Sequence, residues 1–394
     1  MDLRALPTRR TFLVTATATG TLCRLDNSVG AAAASTRNSY RVFSEGRIAG
    51  LRLKNRLVRS ATAENAWRDG AITEEGVALY RNLAAGGVGL IMTGHMSVMP
   101  QGRANDFQTC IDDDRFIGSL RKIAAVVHAT SKDCKVVAQL AHAGMQGQAT
   151  ERVGPTETPW PRLKNKPRAL TTKELEAIVA AFAQAARRAK EAGFDGVQLH
   201  AAHGYLLSSF LSPYTNTRTD KYGGSLEKRV TVIREIVEQA RPLVGPDFPI
   251  LIKLNCDDQV EGGIDIGNFP QLAGEIEKAG VQAMEVSGNN PIREKISTAE
   301  EQSYFLKHAQ ALQLKIPVIL TGGNRSVERL EQIAKGNTPQ FFGFARPLLR
   351  EPDLPARWRE GRGASDAACI SCNRCIRAYG KGLSTRCRVD EADS

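Results

Sequence analysis

The stretch that decides the fold is Phe194-Asp-Gly-Val-Gln-Leu-His-Ala-Ala-His-Gly-Tyr205, which continues to Arg218-Thr-Asp-Lys-Tyr-Gly-Gly224. A short apolar run ends there in two histidines, a glycine and a tyrosine. This pattern indicates a buried strand whose end places polar side chains at the mouth of a cavity. His200 and His203 lie three residues apart, so a strand that simply continued would place them on opposite faces. The chain must therefore turn after His200, and Gly204 gives it the freedom to do so.

Short apolar runs alternate with segments of helical spacing along the whole chain after Tyr40. The predicted strands are 57–63, 89–95, 135–141, 196–200, 249–255, 283–287, 317–322 and 341–344. The predicted helices are 114–130, 172–193, 225–244, 269–280, 304–312 and 327–336. Thr171 and Glu174 form a capping box before the second of these helices. Eight strands with helices between them predict an α/β fold, a (β/α)8 TIM barrel. The alternative is an open doubly wound sheet, but no Gly-x-Gly-x-x-Gly follows the first strand.

The length of 394 residues and an apolar content of 42% allow one barrel-sized domain with extensions. We expect a leader at 1–40, a barrel at 41–360 and a cysteine-rich tail at 361–394. The net charge of +11 lies mostly at the ends, because 1–41 holds six Arg against two Asp and 357–388 holds eight Lys and Arg against two acids. This distribution does not predict a nucleic-acid surface, and no apolar run is long enough to predict a membrane span.

The leader contains Thr8-Arg9-Arg10-Thr11-Phe12-Leu13, followed by a modestly apolar stretch and small residues near Ala34. This pattern resembles a twin-arginine export signal, whose route carries folded proteins with their cofactors. A disordered leader and an organelle presequence are the alternatives. The expected location is thus either the cytoplasm or, if the signal is used, the exported fraction.

In a barrel of this kind, chemistry lies at the carboxyl ends of the strands. The polar residues and glycines at or just past those predicted ends are Thr62, His95, Gln139, His142, His200, His203, Lys253, Asn255, Ser287, Gly322, Gly323 and Arg346. The long connection 145–170 after the third strand is a candidate lid.

The two histidines have three interpretations: zinc ligation, structural hydrogen bonding, or polarisation of a substrate oxygen. Zinc is the weakest, since no third ligand stands at a suitable spacing. Paired donors stabilise negative charge that grows on an oxygen, and Tyr205 can supply a proton to a nearby carbon. This arrangement suits addition of hydride across an activated carbon–carbon double bond, which requires a hydride source.

The late strands offer a place for that source. Thr321-Gly-Gly-Asn324 and Gly343-Phe-Ala-Arg346 follow the seventh and eighth strands, where barrels commonly build a phosphate site. Gln139 and Lys253 could complete a cofactor site, the amide at a ring edge and the cation near a reduced, anionic ring.

These motifs, together with Lys54-Asn-Arg-Leu-Val-Arg-Ser-Ala-Thr62 and Ala138-Gln-Leu-Ala-His-Ala-Gly144, resemble the Old Yellow Enzyme family of flavin-dependent ene reductases over roughly 41–355. The resemblance implies bound FMN, reduction by NAD(P)H and hydride transfer from flavin N5. It also implies that His200 and His203 bind the substrate oxygen and that Tyr205 donates the proton. The implied cofactor contacts are Ala61, Thr62, Gln139, Lys253, Gly323 and Arg346.

Lys253 departs from the arginine that such relatives commonly place beside the flavin. Both side chains are cations, but lysine lacks the planar fork of arginine, so the predicted orientation of the flavin is less tightly defined.

The tail contains Cys369-Ile-Ser-Cys372-Asn-Arg-Cys375 and then Cys387. This run resembles the iron–sulfur ligands of longer relatives such as trimethylamine dehydrogenase and 2,4-dienoyl-CoA reductase, and it implies a [4Fe–4S] cluster. Structural zinc and a tail without metal are the alternatives. With a cluster, we expect electrons to cross to a separate partner protein or directly to the flavin of the barrel.

The leading interpretation is an FMN-dependent oxidoreductase that reduces small enones or enoate-like compounds. An amine dehydrogenase that passes electrons through the cluster is a second interpretation, and a non-catalytic electron-transfer flavoprotein is the third. The sequence leaves the natural substrate, the choice between NADH and NADPH, and formation of a homo-oligomer open.

Overall fold

The computed structural model describes residues 37–149, 151–289, 292–293, 296 and 298–391. The predicted Arg9-Arg10 signal lies outside the described residues, as does nearly all of the predicted leader 1–40. The helices of the described chain include none that is both long and apolar enough to cross a membrane.

Within the described residues, eight parallel strands form a closed barrel in chain order. They are β1 (Leu57–Arg59), β2 (Leu90–Ser97), β3 (Lys135–Ala141), β4 (Gly196–Ala201), β5 (Ile250–Asn255), β6 (Met284–Ser287), β7 (Val318–Leu320) and β8 (Phe341–Phe344). The barrel closes where β8 pairs with β1, with Phe342 opposite Leu57. The predicted TIM barrel is confirmed, and every predicted strand overlaps an observed one.

Helices follow the strands and form the outer layer. They are α1 (Glu74–Ala85), α2 (Ile117–Thr130), α3 (Thr172–Glu191), α4 (Leu206–Leu211), α5 (Leu226–Val244), α6 (Phe269–Lys278), α7 (Leu306–Gln310), α8 (Val327–Ala334), α9 (Arg346–Arg350), α10 (Leu354–Arg359) and α11 (Arg374–Gly380). The capping box of α3 forms as predicted, with both hydrogen bonds between Thr171 and Glu174. Helix α1 was not predicted, although Thr73 caps it by accepting a hydrogen bond from the Gly76 amide.

The strand side chains divide into two cores, because alternate residues face the inside of the barrel and the helices. The inner core at the amino ends of the strands is apolar and includes Val58, Met92 and Leu251. Ile48 and Leu53 join it from a hairpin formed by Gly46–Ile48 and Leu51–Leu53. The larger core fills the space between the strands and the helices. The amino end of the barrel is therefore closed by apolar packing.

The cysteine-rich tail packs on the loops that follow β1 and β2. Asn65 donates from Nδ2 to the carbonyl oxygens of Tyr379 at 3.0 Å and Leu383 at 3.1 Å. The Thr385 amide donates to the Glu64 carbonyl oxygen at 2.9 Å. These contacts bring the tail to the same end of the barrel as the carboxyl ends of the strands.

Candidate active site

A cavity of about 680 Å³ opens at the carboxyl ends of the strands. Strand-end residues, the segment 161–162 from the loop before α3, and parts of the tail line it. The structure brings together at this cavity the residues to which the sequence assigned a role: Ala61, Thr62, Gln139, His200, His203, Tyr205, Lys253, Gly323 and Arg346. His142 and Asn255, which also follow predicted strands, are not among its lining residues.

The floor of the cavity is a buried polar network that joins four strands. The Lys253 ammonium lies 3.1 Å from Oε1 of Glu285, and their side chains are 3% and 0% exposed. Oε1 also accepts a hydrogen bond from Ser60 Oγ at 2.6 Å, and Oε2 accepts one from Gln198 Nε2 at 2.8 Å. Gln139 Nε2 donates in turn to Gln198 Oε1 at 2.7 Å. Because both charges are paired and hydrogen-bonded, the floor holds the Lys253 ammonium in a fixed position under the cavity.

Strand β4 carries His200 to the cavity, as the sequence predicts, whereas His203 lies in the turn that follows the strand. His203 and Gly204 both have positive φ, 64° and 79°. The His203 amide donates to Asn255 Oδ1 at 2.8 Å, and this bond holds the unusual backbone conformation. The turn places the two imidazole rings 4.9 Å apart and nearly perpendicular. They therefore lie at the same end of the cavity.

Both imidazoles are neutral at pH 7. Burial, and next the proximity of His203, lowers the pKa of His200 well below its ordinary value. Burial, and next the Lys253 cation, does the same to the pKa of His203. Nε2 of His203 lies 2.8 Å from Ser287 Oγ, whereas the buried Nδ1 of His200 has no hydrogen-bond partner among the described residues. This Nδ1 is also closed off from the cavity, so the ring atom that His200 can offer to a bound molecule is Nε2.

Tyr205 caps α4 and contacts His95 as well as His200. Its Oη lies 3.4 Å from His95 Nε2, and its ring centroid lies 4.7 Å from that of His200. Burial raises the pKa of Tyr205 above its ordinary value, so the phenol keeps its proton. Burial, and next the Lys253 cation, lowers the pKa of His95 to about 4.

The tautomer of His95 follows from its neighbour Gln108. Oε1 of Gln108 accepts a hydrogen bond from the Ala104 amide at 2.6 Å, which fixes the orientation of the side-chain amide. Nε2 of Gln108 then donates to His95 Nδ1 at 2.5 Å. Nδ1 is therefore the acceptor, and Nε2 carries the hydrogen that points to Tyr205. Tyr205 can accept from His95 while its own proton remains directed elsewhere.

His95 reaches the cavity because β2 contains a bulge. The pairing between β2 and β3 shifts register between Met92 and His95. Met92 belongs to the inner core, so strict alternation would direct His95 away from the inside of the barrel. The extra residue re-aims the side chain, as bulges beside active sites commonly do. The sequence placed His95 at a strand end but gave it no role.

The opposite end of the cavity has the features predicted for a phosphate. Gly322 and Gly323 have φ of +96° and +77°, and a Cβ on Gly323 would lie 2.7 Å from the Tyr304 ring. Both positions therefore require glycine. Arg346 begins α9 and donates to the Arg293 carbonyl oxygen at 2.9 Å.

The segment after β1 forms another wall. Strand β1 ends at Arg59, earlier than the predicted end at residue 63, because the chain leaves the ladder and runs along the cavity. The Arg59 side chain is fully buried and donates to the Ser60 carbonyl oxygen and to Thr62 Oγ1. These bonds fix Ala61 and Thr62 against the cavity.

The four tail cysteines line one small cavity that Arg346 also lines. Their thiols are free of disulfides. No group of three or more His, Cys, Asp or Glu side chains in the described part of the chain has a geometry that could hold a metal ion. The predicted cluster ligands are thus neighbours around one space, but the metal remains a prediction.

Sequence reasoning missed several wall residues, and two of them are polar groups at the mouth. Arg162, from the connection that we expected to form a lid, and Tyr379, from α11, both line the cavity. Asn105 Nδ2 donates to Tyr379 Oη at 2.8 Å, and burial raises the pKa of Tyr379 to about 12. Neither residue follows a strand, so the strand-end rule could not find them.

Comparison with known proteins identifies the family. The family model of the NADH:flavin oxidoreductase / NADH oxidase family matches residues 42–365. NADH oxidase of Thermoanaerobacter brockii is 38% identical over 366 residues, which cover 89% of this chain but only 56% of that protein. The 4,4'-dithiodibutanoate disulfide reductase of Rhodococcus erythropolis is 30% identical over 391 residues, 89% of this chain and 95% of that protein.

A solved structure gives the same result. A 2-naphthoyl-CoA reductase in complex with 2-naphthoyl-CoA superposes with a TM-score of 0.81 at 26% identity, over 89% of this chain and 56% of that one. The chain thus spans just over half the length of this reductase and of the NADH oxidase. From the extent of the match, the chain belongs to the NADH:flavin oxidoreductase / NADH oxidase family, the Old Yellow Enzyme family.

Proposed function

We propose that this protein oxidises NAD(P)H and reduces activated carbon–carbon double bonds of small enones or enoates, with FMN as its cofactor. The observation that carries the proposal is the composition of one cavity. Two neutral imidazoles and a protonated tyrosine converge at one end, and a glycine pair with an arginine lies at the other. The names of the NADH oxidase and of the reductases that the chain resembles support the coarser part of the proposal, a reductase that oxidises a nicotinamide.

The residues of the chain fit FMN. At the glycine pair 322–323 a Cβ would collide with the Tyr304 ring, so glycine lets the backbone run close to that ring, and Arg346 offers a cation for a phosphate. Gln139 has one amide hydrogen committed to Gln198 and can present its remaining polar groups to a ring edge. Lys253 would supply a positive charge near the ring, and Ala61 with Thr62 would bound its edge. When bound, FMN supplies the hydride chemistry.

His200 and His203 would hold the activating oxygen of the substrate. Their neutral rings can donate hydrogen bonds to an oxygen on which negative charge develops, without the cost of burying a second cation. The Ser287 hydroxyl orients the ring of His203. His200 lines the cavity, and its Nε2 is the ring nitrogen left to bond a substrate oxygen.

Tyr205 would give its proton to the carbon next to the activating group. The His95 Nε2–H directed at Tyr205 Oη leaves the phenolic proton free for transfer. The same N–H stabilises the phenolate that remains. His95 therefore acts as a positioning residue for the proton donor.

An amine dehydrogenase receives less support from the charge of the cavity. Among the described residues, the charged side chains that line it are Arg162, Lys253, Asp258, Arg325 and Arg346, and one of these five is acidic. A cationic amine would be repelled from such a surface, whereas a polar carbonyl compound would not.

The test is anaerobic spectroscopy of the purified flavin-loaded protein. We expect NADH or NADPH to bleach the flavin absorption, and 2-cyclohexenone to restore it. Bleaching by a methylated amine, together with no response to either nicotinamide, would contradict the proposal and favour the amine dehydrogenase. If oxygen but no enone reoxidises the reduced flavin, the proposed reduction of alkenes would be contradicted.

The tail cysteines are proposed to bind a [4Fe–4S] cluster. Four free thiols around one cavity with Arg346 beside them fit the donor set that such clusters need. Anaerobic preparations should contain iron and sulfide in equal amounts, and Cys372→Ser should lower both. Cys134→Ala is the matched control, because Cys134 is buried next to β3, outside the tail. Zinc in place of iron, or iron unchanged in Cys372→Ser, would contradict this assignment.

A further inference from the structure

Arg162 occupies a fixed position at the mouth of the cavity. Trp160, two residues earlier, is fully buried and donates from Nε1 to the Gly204 carbonyl oxygen and to Ser209 Oγ, both at 3.1 Å. The backbone before Arg162 is thereby tied to the turn between His203 and Tyr205. Arg162 itself is exposed and lines the cavity.

The guanidinium of Arg162 lies directly against that turn. Its Nη2 donates to the His203 carbonyl oxygen at 2.7 Å. A Cβ on Gly204 would lie 2.7 Å from the same nitrogen, so glycine is needed for this approach. After burial and the Lys253 cation, the charge of Arg162 also contributes to the lowered pKa of His203. The positive charge is therefore close to the groups proposed for chemistry.

The hydrogen-bond acceptors around Arg162 in the described part of the chain are neutral. They are the His203 carbonyl oxygen, Gln146 Oε1 at 3.0 Å, and the side-chain and backbone oxygens of Asn289 at 3.2 and 3.4 Å. Its charge has no carboxylate partner among the described ion pairs. By contrast, Lys253 on the floor is paired with Glu285.

This arrangement leaves an uncompensated cation at the end of the cavity that holds the histidines and Tyr205. A carboxylate makes a shorter and stronger hydrogen bond to a guanidinium than a neutral amide oxygen does. Gln146 accepts from Arg162 through Oε1 and donates from Nε2 to the His203 carbonyl oxygen at 2.5 Å, so a carboxylate bound at the guanidinium has to displace Oε1.

We propose that Arg162 binds a carboxylate of the substrate, so that the preferred substrates are activated alkenes bearing an anionic group. This inference rests on the proposed alkene reduction and names its substrate class. The carboxylate would replace Gln146 at the guanidinium, while the activating carbonyl remains with His200 and His203. Arg162 is then a specificity-determining residue that changes binding more than turnover.

The experiment compares monomethyl fumarate with dimethyl fumarate, which differ by one methyl group and one negative charge at pH 7. Steady-state KM and kcat are measured for the flavin-loaded wild type, Arg162→Gln and Arg162→Lys. We expect Arg162→Gln to raise the ratio of KM for the monoester to KM for the diester at least tenfold. Arg162→Lys should raise it less, since lysine keeps the charge but lacks the fork. FMN content checks that each variant is folded.

Two controls separate the explanations. Added salt should raise KM of the wild type for the monoester more than for the diester. A KM ratio that stays within twofold of wild type in Arg162→Gln, while the diester is still reduced, would overturn the carboxylate site and leave the alkene reduction intact. A rise in KM of Arg162→Gln that is seen only when NADPH replaces NADH would also overturn the carboxylate site. Such a result would mean that Arg162 binds the coenzyme phosphate. Failure of the wild type to reduce either ester would overturn the proposed function itself.

Discussion

The two walls of the cavity are built in different ways. The strand wall consists of side chains at the ends of β3 to β6, such as Gln139 and Lys253, which are buried and bonded to side chains of neighbouring strands. The loop wall consists of Arg162, from the loop before α3, and Tyr379, from the tail helix α11, which bond to backbone oxygens and side-chain amides. We infer that the strand wall sets the chemistry and the loop wall sets which molecules reach it.

The sharpest test of this division is Tyr205→Phe. Loss of a proton donor typically costs about 10²- to 10⁴-fold in rate, so we expect the reoxidation of reduced flavin by an enone to slow by that order. Reduction of the flavin by NAD(P)H should change little, because it does not use this proton. Stopped-flow measurement of the two half-reactions separates them. Equal slowing of both would show that Tyr205 acts through structure, and the division would lose its main support.

The buried ion pair of the floor gives the next largest effect. Glu285→Leu leaves Lys253 without its partner in the barrel interior, and removal of one member of a buried pair typically costs about 3–5 kcal/mol of unfolding free energy. Glu285→Gln is the matched control, because it keeps hydrogen-bonding groups for Ser60 and Gln198. Denaturant unfolding of the three proteins measures the difference. Equal stability of the leucine variant and wild type would mean that the floor is not held by this charge pair.

The strand wall could be predicted from the sequence because a simple rule applies to it. Each apolar run ends at a polar residue, and the barrel brings those ends to one face. His200, Lys253 and Gly323 were found in this way, and all three line the cavity. Glu285 carried a weaker signal, a charged residue within an apolar run, which was not used.

The loop wall could not be predicted because its positions depend on packing between distant segments. Tyr379 reaches the cavity only since Asn65 and Asn105, more than 250 residues earlier, bind its carbonyl and hydroxyl oxygens. Arg162 reaches it since Trp160 is anchored below the β4 turn. No local pattern records either contact. The bulge that turns His95 inward could not be predicted for the same reason. The register of β2 depends on its pairing with β3, which the local sequence does not specify.

His95→Ala should have an intermediate effect. It removes the hydrogen bond to Tyr205 Oη, and one such bond is worth about 1 kcal/mol, or several-fold in the rate of the alkene half-reaction. Because burial holds the pKa of His95 at about 4, the imidazole stays neutral, and the defect should be constant from about pH 5.5 to 8. The ratio of rates in H₂O and D₂O should rise as proton transfer becomes slower. A defect that grows as the pH falls through 6.5 would instead indicate that His95 acts as a charged group.

The smallest effect is expected for Tyr379→Phe on the loop wall. The variant removes the oxygen that accepts from Asn105, but Asn105 keeps its bond to Asn65 Oδ1 at 3.0 Å, so stability should fall by less than about 1 kcal/mol. We expect kcat with 2-cyclohexenone to stay within about twofold of wild type, since Tyr205 and not Tyr379 supplies the proton in the proposed reaction. Tyr379→Ala should change KM for bulky alkenes more than for small ones, because it opens the wall that α11 forms. If Tyr379→Phe lowers the rate of the alkene half-reaction as much as Tyr205→Phe does, the loop wall takes part in the chemistry. That result would contradict the division of roles between the two walls.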